Sequence, residues 1–434
     1  MPDHWQVDVD DGLPTGSPGT APPLLAGLRV LEVALLAPDA LGMHLADLGA
    51  DVVKVEEPGL GDYVRSTGFL RVDGVSALHR RWNRGKRSLA LDLRSPDGVA
   101  VFRELSVDAD VVIEGLRAGS LARRGVGYDD LRAVNPRLVF ACLSGFGQTG
   151  PYRDLASHGV GYDAYAGFAP PMPGPLDYPS IPPHAAVGIH AAALYGAYGV
   201  VAAVMRARAT GLGALLDIAE ADAAAWWNGP AIEQDQALED GVAEPPRAGG
   251  LTASVRYQYY RAADGKYVLF MASERKFWQR FCEAVGRSDL FERWPGVAGV
   301  GEHDAGNLDL RTELTALFAT RPQHQWIELF LSANVPGTPV YVGGEVRTDP
   351  HFRARARWLD REVHGMSLVA SPLRLPGGGL GNPGAAPVLG EHTVAVLRDA
   401  GFGAGRIEQL LAAGVAVAAT GTGPATVDGE ARPR

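Results

Sequence analysis

From Leu28 onward the chain alternates between two hydrophobic rhythms. LRVLEV at 28–33 and DVVKVE at 51–56 are short apolar runs rich in β-branched residues and predict strands. Between them, PDALGMHLADLGA at 38–50 spaces its apolar residues as a helix does. Strand, helix, strand in this order predicts a βαβ unit, because parallel strands need a crossover. The rhythm returns further on. Ser95 and Pro96 predict the capped start of a helix running through Leu105. DVVIE at 110–114 predicts a strand, a short helical stretch carries Arg123, YDDLRAVN at 128–135 predicts a helix, and RLVFACL at 137–143 another strand. Four strand runs separated by helices predict an α/β fold with a Rossmann-like parallel sheet.

The stretch from Ser144 to Met205 has the character of a site. It begins where the last predicted strand runs into a Gly-rich loop, the usual place for a ligand in an open α/β sheet. That loop holds His158 between small residues, and after a Pro-rich connection an Ala/Gly-rich helix can let a ligand or another backbone approach closely. Ala185 to Met205 is long and apolar enough for a membrane span. Its Ala/Gly composition, with His190 near the start and Arg206 and Arg208 just beyond, predicts a buried core helix instead. Farther on, VRYQYYRAADGKYVLFMA predicts a hairpin turning at Asp264-Gly265, followed by helices over ERKFWQRFCEAVG and HQWIELFLSA.

Composition narrows the function classes. A chain of 434 residues predicts two or three domains, and 46% hydrophobic residues predicts a soluble globular protein. The net charge of −10 argues against a general nucleic-acid or anionic-membrane surface, so an anionic ligand needs a local basic cluster. Cys142 and Cys282 lie far apart in apolar elements and read as buried free thiols, which fits a cytoplasmic protein. No metal site is expected. The first 23 residues have neither a basic nor an apolar signal region and read as a flexible arm, and 420–434 as a flexible tail. The sheet alone would suit a nicotinamide or S-adenosylmethionine, with Glu56 as a ribose-binding acid. The loop after the first strand, ALLAPDALG, lacks the glycine pattern that would cradle a pyrophosphate.

LAGLRVLEVALLAP, LADLGADVVKVEEPGLGDYVR, NRGKRSLALDLRSPDG, ADVVIEGLRAGSLARRGVGYDDLRAVNPRLVFACLSGFGQTGPY and PVLGEHTVAVL occur in this order. Together they resemble the family III CoA-transferases, the carnitine dehydratase and bile-acid-inducible type that includes the α-methylacyl-CoA racemases. The resemblance covers about Leu24 to Val415. It implies a large Rossmann-like domain at 24–230, completed by a return segment and C-terminal part at 342–419, with a smaller α+β domain at 243–341. It also implies an interlocked dimer, and coenzyme A thioesters as substrate with no separate cofactor.

HRRWNRGKRSLALDLR gathers Arg80, Arg81, Arg84, Lys86, Arg87 and Arg94, which is either a site for a polyphosphate such as CoA or a solvated charge run. The resemblance implies that Arg94 and Arg123, with Lys86 and Leu91, contact the CoA. Two positions depart from the family: Gly115 where Asn is common, and Glu57 where some members carry Arg.

His158 matches the racemase residue that moves the proton beside the thioester carbonyl. A neutral imidazole suits that task, and burial among small residues would keep it neutral. The bland alternative is a histidine that only bonds the backbone. Glu274 matches a racemase glutamate on the opposite face of the site, but it also stands where a helix start favours a carboxylate. The largest departure is Ile189. The family's nucleophilic Asp, which attacks the acyl-CoA carbonyl, falls there, and the chain reads Val-Gly-Ile-His. His190 should project about 100° away around the helix, and Asp163 is the nearest spare carboxylate in sequence. Three expectations follow: a CoA-thioester enzyme using His158 for isomerase- or lyase-like proton chemistry, a non-catalytic subunit paired with an Asp-bearing homologue, or a fold recruited to a ligand other than CoA.

Overall fold

A computed structural model describes residues 21–419 apart from 69, 175–177, 183–185, 244–250, 297–302 and 376–377. The arm at 1–23 (save 21–23) and the tail at 420–434 therefore lie outside the described residues. The chain divides into two compact units, one formed by Gln234–Arg355 and the other by the sequence on either side of it.

The larger unit is built on a seven-stranded sheet. Its strands are β1 (Arg29–Ala34), β2 (Asp51–Glu56), β3 (Arg87–Leu91), β4 (Val111–Gly115), β5 (Val139–Ser144), β6 (Ala214–Ala219) and β7 (Ala416–Val417), in the order β6-β5-β4-β1-β2-β3-β7. All neighbours are parallel except β7, which runs antiparallel to β3. The chain winds outward from β1 in both directions, so the order reverses between β1 and β4. Ligands of open α/β sheets bind at such a reversal, beyond the carboxyl ends of the strands.

Alternation along the strands assigns the two faces. Val30, Val52, Val111, Ile113, Val139 and Ala141 point to one core, shared with helix α1 (Asp39–Asp47) and the long helix Val187–Thr210. Leu31, Val53, Val55, Val112 and Phe140 point to the other, covered by helix α2 (Pro96–Ser106) and the C-terminal helices. A one-residue slip in register would exchange the faces, so burial of both fixes the pairing. Ser95 caps α2 by accepting from the Gly98 N–H at 2.9 Å. The helix expected over 128–135 ends at Arg132. Asn135 instead uses its side-chain amide to bond the carbonyls of Ser106 and Ala109.

Two further helices precede the long one and follow β6: α3 (Val160–Tyr165) and α5 (Glu220–Trp227). Helix α4 spans Val187–Thr210 and, with its small residues, packs on α1, α5, β5 and β6. A Cβ on Gly196 would stand 2.5 Å from Leu41 Cδ1, which shows how closely α4 and α1 approach. Such overpacking typically costs about 1–3 kcal/mol. In the smaller unit, Tyr257–Arg261, Tyr267–Met271 and Gly337–Val340 form an antiparallel sheet over an aromatic core that includes Phe270, Trp278, Phe281 and Trp326. Gly265 turns the hairpin with φ of 81°.

Candidate active site

At the carboxyl ends of the strands, where their order reverses, lies a cavity of about 610 Å³. Leu35–Pro38 after β1, Gly115–Ala118 after β4, Leu143–Phe146 at the end of β5 and Glu220 after β6 all line it. The loop 153–159 and Tyr162 of α3 close it on another side, and Ile189 of α4 completes the lining.

The start of α4 is positioned by a buried carboxylate. Asp163, fully buried, accepts the Val187 N–H at 3.0 Å and the Gly188 N–H at 2.8 Å, satisfying amides that have no partner within the helix. Gly188 is needed as well, because a Cβ there would lie 2.9 Å from the Glu220 carbonyl oxygen. Held in this way, α4 presents half-buried Ile189 to the cavity, while His190 does not line it. Asp163 is thus a helix cap.

His158 also lines the cavity, between Ser157 and Gly159, whose φ is 34°. Its carbonyl accepts from the Gly161 N–H at 2.8 Å, and the Tyr162 hydroxyl donates to the Ser157 carbonyl at 3.0 Å, tying the loop to α3. The side chain is exposed within the chain, contrary to the expected burial. The loop stands clear of the core because its neighbours at 151–156 are exposed too.

Glu220, only 4% exposed, lines the same cavity, and its Oε1 has no hydrogen-bond partner. Burial pushes its carboxyl up to about 7, the Tyr162 hydroxyl opposes the shift and the Asp163 charge adds to it. Nothing in the sequence singled it out, since an acid at the start of a helix is commonplace.

Basic side chains gather at the β4 loop. Arg117, Arg124 and Arg153 line the cavity, and Arg123 and Arg153 both approach Gly119. Arg123 is exposed and donates to the Ala118 carbonyl at 2.9 Å and to Ser120 Oγ at 3.1 Å. Among the described residues none of these four guanidinium groups has a carboxylate within 4 Å.

The stretch at 79–94 behaves differently. Lys86 is buried with its ammonium on Glu32 at 2.5 Å and Asn83 Oδ1 at 3.0 Å, and so is turned away from any ligand. Arg84 pairs with Asp47, Arg87 with Asp51 and Asp399, and Arg80 bonds the carbonyls of Val72 and His364. Leu91 is core, with its side chain buried beneath β7. Arg94 is exposed, beside Glu57 at 2.7 Å and Asp92 at 2.9 Å, and does not line the cavity. These charges are neither a solvated run nor an open cluster; most brace the fold internally. Glu56 has the same role. Burial alone would raise its carboxyl, but Arg65, Lys54 and Ser88 hold it at about 2. Glu274 belongs to the smaller unit, where it is exposed at the start of Arg275–Ala284 and accepts from the Ser273 hydroxyl.

The sequence matches the model of CoA-transferase family III over residues 25–393. It is 32% identical over 386 residues to a succinyl-CoA:D-citramalate CoA-transferase of Chloroflexus aurantiacus, covering 86% of this chain and 93% of that one. It is 30% identical to the human alpha-methylacyl-CoA racemase, covering 89% and 96%, and 30% identical to the alpha subunit of a succinyl-CoA:L-malate CoA-transferase of Chloroflexus aurantiacus, covering 89% and 91%. Among solved structures, a CAIB/BAIF family protein from Brucella suis superposes with a TM-score of 0.69 at 29% identity, covering 87% of this chain and all of that one. The chain belongs to CoA-transferase family III.

Proposed function

We propose that the cavity takes the acyl end of a CoA thioester and that His158 moves the proton beside its carbonyl, giving isomerase- or lyase-like chemistry in place of aspartyl-CoA transfer. The observation that carries this reading is that Ile189 and His158 line one cavity; the helix start presents a hydrocarbon there, where the family resemblance implies a nucleophilic carboxylate. A neutral imidazole accepts the α-proton while the C–H electrons pass to the thioester oxygen as an enolate, and a proton returned to carbon completes the cycle. The exposed position of His158 suits it to exchange that proton with water. Arg117, Arg123, Arg124 and Arg153 offer their charge to the CoA phosphates at the mouth, and Arg94 joins them if it leaves Glu57. The protein works as a dimer in this reading.

Incubation with a branched acyl-CoA in heavy water tests it, with the α-position read by mass spectrometry and CoA adducts trapped by hydroxylamine. Deuterium in the α-position and no adduct at residue 189 are expected. An adduct on another carboxylate, with transfer of CoA to an added acid, would contradict the reading.

One further assignment has a specific observation in its favour. One relative is the alpha subunit of a succinyl-CoA:L-malate CoA-transferase, which supports a reading of this chain as one subunit of a heteromer. In that case this chain supplies a silent cavity, and adding an Asp-bearing homologue restores transfer.

A further inference from the structure

We infer that Glu220 is the second proton-carrying group of the cavity, and that it protonates the enolate formed when His158 removes the α-proton. The inference rests on the proton-transfer reading above and adds the residue that completes it.

Three observations carry it. Glu220 lines the cavity that holds His158 and Ile189, and its backbone carbonyl lies against Gly188, one residue before Ile189. It therefore stands beside the place where the helix start has no carboxylate. It is 96% buried in the sense that only 4% of its surface is exposed, and Oε1 meets no donor, an expensive state for an ionised carboxylate and a mild one for a neutral acid. Finally, burial opposes ionisation and outweighs the Tyr162 hydroxyl, which favours it, and Asp163 adds a like charge. Tyr63, which also lines the cavity, has its own phenol pushed up by burial first and then by the charges of Asp62, Asp39 and Glu220, so it stays neutral and adds no negative charge. The remaining titratable groups of the cavity are Arg117, Arg124, Arg153, Asp154 and His158 itself.

Protons and electrons balance without a further reactant. The α C–H bond breaks toward His158, leaving an imidazolium and an enolate. The Glu220 O–H bond breaks toward the α-carbon, giving the isomerised thioester and a carboxylate. Imidazolium and carboxylate then return to their starting forms through water. A carboxyl that titrates near neutrality is suited to both directions of this cycle.

The test uses the full-length protein and its Glu220→Gln variant, which keeps shape and removes the titrating group. A branched acyl-CoA is titrated calorimetrically into each, and α-deuterium incorporation is followed from pH 5 to 9. The inference predicts similar binding heats, a fall of about 10²–10⁴-fold in incorporation for the variant, and loss of an inflection near neutrality. Glu220→Asp should restore part of the rate. In the unmodified protein labelled with ¹³C-glutamate, a carboxyl resonance titrating near neutrality should move when the acyl-CoA is added, so the readout survives a variant that folds poorly. A Gln variant that binds and exchanges as the parent does, with the same pH profile, overturns the role of Glu220 and leaves the proton-transfer reading intact. A parent protein that binds no CoA ester, or binds one without exchange, overturns that reading and this inference with it.

Discussion

Two regions of the larger unit treat buried charge in opposite ways. Between β1, β2, β3 and α1, Lys54 meets both Asp39 and Asp62, Lys86 meets Glu32 and Asn83, Arg84 meets Asp47, and Glu56 meets Arg65 and Ser88. At the ends of the strands, Asp163 is spent on capping α4, and Glu220 faces the cavity with an oxygen that nothing satisfies. Cations and carboxylates matched one to another brace a fold, although burial pushes even paired Asp39 well above the usual carboxylate range; among the described residues Glu220 has no cation paired with it, and burial pushes its carboxyl up to about 7, which suits it to proton transfer. The same residue types thus read as architecture in one region and as chemistry in the other.

Breaking the braced region should give the largest effect. Lys54→Met leaves Asp39 and Asp62 as uncompensated buried carboxylates, and loss of one partner of a buried pair costs about 3–5 kcal/mol. Denaturant unfolding at neutral pH measures it; a loss below about 1 kcal/mol would show that the two carboxylates find other partners.

Glu220 should respond with the opposite sign. Its folded carboxyl titrates at about 7 against an ordinary 4.5, because burial disfavours the charge. A group raised in this way leaves stability intact below pH about 4.5 and subtracts from it as pH rises through 7. At about 1.4 kcal/mol per unit the penalty reaches roughly 3 kcal/mol at pH 8. Glu220→Gln should remove that pH-dependent loss, so the variant gains on the parent between pH 4.5 and 8. Parallel stability profiles for the two proteins would erase the contrast between the regions.

Smaller effects sharpen it further. Arg124→Ala and Arg153→Ala should each weaken CoA binding by about 1–3 kcal/mol if they make charge-assisted phosphate bonds, with affinity falling as salt rises. Arg94→Ala should leave stability nearly unchanged, since its pairs with Glu57 and Asp92 are exposed. Its effect on CoA binding, measured by calorimetry, decides whether it joins the cavity arginines.

The parallel sheet was legible because its inner strands are dense in Val, Ile and Leu. β3 escaped notice because RSLAL is short and embedded in a basic stretch, and the two-residue edge strand β7 carries no periodic signal. His158 could be singled out from its Gly-rich loop and Ile189 from the family resemblance, and both line the cavity. Glu220 could not, because what distinguishes it is a buried carboxyl on the cavity with no cation paired to it, a property of packing among β6, α3 and α4. Lys86 misled in the other direction: a lysine in a basic run looks available for phosphate, yet Glu32 on a distant strand claims its charge.

The central claim is that this cavity moves a proton at the α-carbon through His158. Its most direct measurement is α-deuterium incorporation from heavy water into a branched acyl-CoA by the purified protein and by His158→Ala, followed by mass spectrometry. The account predicts incorporation by the parent and a loss of about 10²–10⁴-fold in the variant. No incorporation with several acyl-CoAs, together with CoA transfer that appears on addition of an Asp-bearing homologue, would contradict it.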